Sequence, residues 1–296
     1  MMCLWPARFS GLLKASMTAF ALSAGAWPPK VPIVIEGPMN PPVWPPESEV
    51  PKIKFPVGEQ LRFRAYWSWV PVAYAQVWTE WIQENGRWAI ALRLRTRSAA
   101  VLNALYPVDD FFETIVDPAT LRPLRFVKKM NEGNNRYDEI TQFDHESGTA
   151  RWTSRLRNRE KVLTIEPDTR DIFSFLYWLR DRGFEPGETV SYRVWADNKV
   201  YTVLPKPVAR EVINVPEFGP VPCVRFEPEA ECNGLFVRKG RVRVWVFDGE
   251  PRLAMRLDAE VPVASVRVYL TEVIDPAGNR WRPPPVSRPV PGQGSN

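Results

Sequence analysis

The run Leu61-Arg62-Phe63-Arg64-Ala65-Tyr66-Trp67, followed by residues 77–82 and by Trp88-Ala89-Ile90-Ala91-Leu92-Arg93-Leu94-Arg95-Thr96, decides the fold. Apolar and polar residues alternate with period 2, the spacing of a strand with one buried face. Asn85-Gly86 lies between the second and third runs and supplies the two positive-φ positions of a tight hairpin turn. The same habit recurs at 110–116, 122–129, 135–143, 149–155 and 161–165. It returns at 189–196, 200–204, 208–213, 221–227, 235–247, 252–259 and 265–273. Gly133, Gly148, Asp197-Asn198 and Asp248-Gly249 mark turns between them, so the pattern predicts an antiparallel meander.

One segment departs from this period. Between Asp171 and Arg180 the apolar residues Ile172, Phe175, Leu176 and Leu179 fall at i, i+3, i+4 and i+7. That spacing predicts an amphipathic helix over 170–182, capped by Thr169 or Asp168 and stopped by Gly183. A shorter helix is expected within 98–105.

The first 26 residues read as a secretory signal peptide. Arg8 and Lys14 precede an apolar stretch over 15–26, which closes on Ala24-Gly25-Ala26. The stretch is shorter than the roughly 20 apolar residues a membrane-spanning helix needs. The mature chain is therefore expected to start at Trp27 and to work in the periplasm or outside the cell. Pro-rich segments flank the β region. Residues 27–56 are expected to form an extended arm, 57–275 the β domain, and 276–296 a disordered tail.

Composition narrows the function classes. The chain has 296 residues with 13 Trp, 15 Phe and 31 Pro, a mixture that suits strands and loops more than helices. A net charge of +5 is mild, and arginines such as Arg93, Arg95 and Arg97 alternate along strands. A nucleic-acid footprint would be clustered, so no nucleic-acid partner is expected. Cys223 and Cys232 form an even pair in an oxidising compartment. They can bridge neighbouring strands, and two independent buried thiols are the alternative. His145 is the only histidine and sits in a polar turn, which leaves no metal site and no serine-histidine chemistry. Asp109, Asp110 and Glu113 are the carboxylates closest to a glycoside-cleaving pair. Adjacent strand residues face opposite ways, so Asp109 and Asp110 cannot share a face. Glu166, Asp168 and Asp171 read as helix-start residues. No catalytic residue and no cofactor are expected.

The aromatic supply offers a binding role instead. Phe175, Tyr177 and Trp178 on the helix, with Trp67, Trp69 and Trp78 on strands, can line an apolar cavity under a helical lid. Trp67 and Trp69 are expected to share one sheet face. The other reading of the helix is a plug that only completes the core.

Four segments resemble one family in order along the chain. They are Pro56-Val57-Gly58-Glu59-Gln60-Leu61-Arg62-Phe63; Tyr106-Pro107-Val108-Asp109-Asp110-Phe111 with Asp117-Pro118-Ala119-Thr120-Leu121; the helix from Asp171 to Arg180; and Val244-Trp245-Val246-Phe247-Asp248 through the last strand at 263–270. The family is the bacterial exported proteins grouped as domain of unknown function 3108, and the likeness spans about 55–273. The resemblance implies an envelope β protein and brings no activity. A long antiparallel sheet with a helix against it is similar, at the level of fold alone, to the half-barrel that carries lipoproteins through the periplasm. The expected fold is thus mainly β: a large, curved antiparallel sheet, half-barrel or barrel-like, with one amphipathic helix packed on it. The expected function is binding of a lipid, amphiphile or glycan in envelope biogenesis or maintenance. The alternative is an assembly protein that binds another envelope protein through a sheet edge or its Pro-rich arms.

Overall fold

A computed structural model describes residues 44–103, 106–232, 235–236, 241–261 and 264–285. The signal-peptide reading, most of the Pro-rich arm and the end of the tail lie outside these residues. The first meander contains β1 (Gln60–Trp67), β2 (Val70–Glu84), β3 (Arg87–Ser98), β4 (Asp109–Val116), β5 (Pro123–Glu132), β6 (Asn135–Asp144), β7 (Thr149–Ser154) and β8 (Arg159–Thr164). A short α1 (Ala100–Asn103) joins β3 to β4. Then come β9 (Arg170–Asp171), α2 (Ile172–Arg182), β10 (Tyr192–Ala196), β11 (Lys199–Leu204), β12 (Pro207–Val215) and β13 (Gly219–Phe226). The chain ends through β14 (Glu229–Cys232), β15 (Leu235–Phe236), β16 (Arg241–Phe247), β17 (Ala254–Val261) and β18 (Ala264–Ile274).

These strands build two sheets. The larger has 13 strands in the order β12-β13-β16-β17-β18-β1-β2-β3-β4-β5-β6-β7-β8. The smaller has five, β15-β14-β11-β10-β9. The sheet order is linear: β12 and β8 each pair on one side only, so the large sheet is open among the described residues. This corrects the half-barrel or barrel-like shape expected from sequence. Period 2 reveals a strand but not the sheet it joins, and the strands around α2 leave the meander to make a second layer. Trp195 of β10 and Val200 of β11 then pack on Phe143, Ala150 and Ile165 of the first layer.

The turn at Asn85-Gly86 forms as read, with φ of 51° and 76°, both in the left-handed region. The main core lies on the side of the large sheet that carries Leu61, Leu270 and Val273, where they meet Val221, Leu253 and Met255. The chain before β1 joins the interior: Phe55 and Val57 are buried against Trp81, Ile90 and Leu92. Residues 276–285 are not a free tail. Trp281 packs on Phe247 and Phe218, with ring centroids 5.3 and 6.0 Å away.

α2 forms where expected but turns differently. Asp171, not Thr169 or Asp168, is its cap, with its carboxylate accepting from the Phe173 and Ser174 amides at 2.9 and 3.3 Å. Gly183, at φ 84°, ends it. The buried residues are Phe173, Ser174, Phe175 and Tyr177, while Leu176 is 39% exposed. Ring area outweighs the aliphatic stripe: Phe173 fills the gap between Phe112 and Phe126 at 5.8 and 6.2 Å. Among the described residues no helix is long and apolar enough to cross a membrane.

Candidate functional site

α2 is fastened to the large sheet at both ends by charged groups taken out of water. At its start Asp171 is fully buried, and Thr114 of β4 and Ser174 both donate hydroxyls to its carboxylate, at 2.9 and 2.7 Å. Burial pushes the Asp171 carboxyl up, and these donors oppose the shift. At its other end Glu59 is 1% exposed. Arg180 grips its carboxylate with both terminal guanidinium nitrogens, the Nη2 contact at 3.0 Å, and the Tyr177 hydroxyl donates to Oε1 at 3.1 Å. Phe55 closes edge-on over Tyr177 at 4.8 Å. Burial and the facing Glu59 carboxylate drive the Tyr177 phenol well above its usual range. Burial works against the charge of Arg180, yet Glu59 holds its pKa above the ordinary arginine value. Tyr177, expected to line a cavity, is therefore a structural anchor. Two of the sequence motifs, the one around Glu59 and the one on the helix, meet in this single contact.

The other helix aromatics assemble a different cluster. Trp178 is half-buried and stands 5.0 Å from Tyr192 of β10 and 6.3 Å from Phe175. Phe175 lies 5.6 Å from Tyr192. Two guanidinium groups cover the indole, Arg170 at 4.4 Å and Arg182 at 5.7 Å. Arg182 is paired with Glu188. Arg170 is 7% exposed and donates only to two backbone carbonyls, of Asp168 and Thr120, at 3.0 and 3.1 Å. Its Nε has no partner, and Asp168, the nearest carboxylate, is occupied by Arg122. Burial lowers the pKa of Arg170, and the like charge of Arg122 adds to that against the pull of Asp168. The result is an aromatic platform beside a positive charge that no carboxylate neutralises directly.

The strand tryptophans are elsewhere. β1 ends at Trp67, and Trp69 lies in the following turn, 80% exposed, so the two do not share a strand face. Trp67 packs on a small cluster of Ala65, Val72, Ala73 and Val266. Trp78 stands beside Phe111 at 6.3 Å. The six aromatics therefore divide between the helix cluster, the Glu59 anchor, a sheet end and a sheet face.

The carboxylates are engaged too. Asp109 is held by Arg95 at 3.0 Å, a contact that lowers its pKa against some burial, and Glu113 by Arg93 at 2.7 Å. Asp110 points the other way, is buried, and accepts from the Asn131 amide at 2.9 Å. Glu132 is buried beside it. Burial, then the Asp110 charge, pushes its carboxyl up to about 8. His145 is not a solvated turn residue. Its ring nitrogens lie 3.0 and 2.9 Å from the carbonyls of Pro167 and Pro123, and it stacks on Phe143. Cys223 is a buried free thiol rather than half of the expected bridge. Its strand β13 belongs to the large sheet, whereas β14, which carries Cys232, belongs to the small one. No cluster of metal-ligating side chains occurs among the described residues. A recess of about 420 Å³ opens between the sheets, lined by Thr164, Glu166, Arg193, Val200, Thr202 and Glu231 among others. Glu166 and Arg193 pair across it at 2.7 Å, and it contains none of the predicted aromatics.

Comparison with known proteins places this arrangement. The model of the family described as "Protein of unknown function (DUF3108)" matches residues 62–271. No curated protein matches the chain. Among solved structures, it is similar to a Brucella abortus protein titled "Beta-barrel-like Protein of Domain of Unknown Function DUF1849", with 11% identity and a TM-score of 0.50. The match covers 73% of this chain and 97% of that one. At that identity the likeness is one of fold alone.

Proposed function

The chain belongs to the DUF3108 family of proteins of unknown function, and on that premise we propose that it is an exported, non-catalytic envelope protein that binds an anionic amphiphile. The observation that carries this reading is the Arg170–Trp178 cluster. A buried guanidinium without a carboxylate is an incomplete arrangement, because a desolvated charge is costly unless it is paired. An anionic head group would complete it, and Trp178, Tyr192 and the exposed Leu176 offer apolar surface to the attached chain. The carboxylates considered for hydrolysis are held in ion pairs or buried as a pair, which supports a binding role over a catalytic one.

The test is native against denatured mass spectrometry of protein recovered from the periplasm without detergent, with titration by dodecyl phosphate and dodecyl maltoside. A stoichiometric mass released on denaturation and lost in Trp178→Ala supports the proposal. So does preference for the phosphate that disappears in Arg170→Met. Absence from the periplasm, or a clean apo mass with no binding of either probe, overturns it; maltoside binding alone assigns the site to glycans. The assembly reading draws on a separate observation. Edge strand β12 pairs on one side only and exposes Val208 and Val212, so a partner strand can add there.

A further inference from the structure

One turn of the large sheet stands apart from the others. Strand registers place the β2–β3 turn at Asn85-Gly86, the Asp117–Thr120 turn, the Asp248–Pro251 turn and the Asp275–Asn279 turn at one end. Each of these turns opens on Asn or Asp. The opposite end carries polar turns too, β5–β6 at Gly133-Asn134 and β7–β8 at 155–158, and with them the connector through α1, the first residues of β18 and the β1–β2 turn, because Trp67 pairs with both Val70 and Val266, and Ala73 with Ser98. The β1–β2 turn reads Trp67-Ser68-Trp69-Val70-Pro71. Trp67, at the start of this turn, packs on the Val72 and Val266 cluster, as does Leu102 of α1. Trp69, at 80% exposure, is the most exposed large apolar residue described.

We propose that this end docks onto the surface of an anionic lipid bilayer. Single exposed apolar residues are ordinary, but Trp69 shares its turn with the half-buried Trp67, Val70 and Pro71, and such an apolar patch suits a contact site. The feature protrudes as a turn rather than forming a groove, which suits a deformable partner. A tryptophan ring, apolar with one N–H, partitions to the head-group level of a bilayer. Charge adds the sign of the lipid. Arg267, next to Val266, is exposed and makes no ion pair among the described residues. A cation at that height is attracted to acidic head groups.

Vesicle flotation tests this, with phosphatidylcholine alone and mixed with phosphatidylglycerol, using the full chain as recovered from cells. Binding is expected on the mixed vesicles. Trp69→Ser should weaken it about tenfold, the size of losing a partly buried aromatic. Arg267→Gln should weaken it about fivefold, on anionic vesicles only. Trp69→Ser should leave dodecyl phosphate binding unchanged, so this surface and the ligand cluster can fail separately. No flotation, or flotation equal for wild type and Trp69→Ser, overturns the proposal. A dimer by light scattering that Trp69→Ser converts to monomer, without vesicle binding, overturns it in favour of a second copy of the chain.

Discussion

Removing both charged partners of the Glu59–Tyr177–Arg180 anchor should cost the protein clearly less than the sum of removing each alone. In Glu59→Gln the Arg180 guanidinium keeps its charge in a site where its partner is 1% exposed, and the Tyr177 hydroxyl loses its anionic acceptor. Breaking a buried pair from one side costs about 3–5 kcal/mol. Arg180→Met leaves the Glu59 carboxylate buried with only the tyrosine hydroxyl, and falls in the same range. The double variant Glu59→Gln/Arg180→Met leaves no buried charge in this contact, so it should lose less than the sum of the singles by about 2–3 kcal/mol. For a domain of this size each kcal/mol shifts Tm by about 2–4 °C, so the singles should melt about 6–20 °C below wild type. Urea unfolding followed by near- and far-UV circular dichroism gives the four free energies of the cycle. Additive effects, or single variants within about 1 kcal/mol of wild type, would refute the view that the helix is held by this charge pair.

Two further outcomes are expected. Because the Glu132 carboxyl is raised to about 8 in the fold, the folded state holds a proton that the unfolded chain gives up near the ordinary carboxylate pKa. Its contribution is present at acid pH and fades as pH climbs toward 8, at up to about 1.4 kcal/mol per pH unit. Urea midpoints from pH 5 to 8 should fall more steeply for wild type than for Glu132→Gln; parallel curves would contradict this. Burial first, then Asp248 and Glu211, pushes the Cys223 thiol up to about 12, so few thiolates exist at pH 8. In a Cys3→Ser/Cys232→Ser chain it should resist Ellman's reagent until denaturant is added, and prompt stoichiometric labelling of the folded protein would count against that burial.

Much of this architecture was legible in the sequence, and the gaps have physical causes. The Asn85-Gly86 hairpin and the period-2 runs identify strands because backbone chirality and one buried face leave few alternatives. The division into two sheets left no such mark, since a strand alternates in the same way whichever neighbour it pairs with. The helix was found from its spacing, but its orientation was decided by Phe173, which the stripe of Ile172, Phe175, Leu176 and Leu179 did not include. The Glu59 anchor carried a readable signal that the aromatic inventory obscured. Phe55, Val57, Glu59 and Leu61 fall on one alternating register, and all four are buried. A carboxylate on a buried register requires a cation, and Arg180 lies one helical turn from Tyr177. The Arg170 site could not be read, because its meaning rests on what is missing around it.

The pairing of β1 with β18 joins strands separated by about 200 residues at the middle of the large sheet. Hairpins on either side of this seam are local and can form as soon as their residues exist. The seam itself closes a very long loop, whose entropic cost makes it a late event. Until β18 is available, Leu61 and its neighbours lie on an unpaired edge in the centre of what will become the core. Folding of this domain is therefore a process with a final stitch, and a chain shortened by its last strand would lose the join between its halves rather than a peripheral piece.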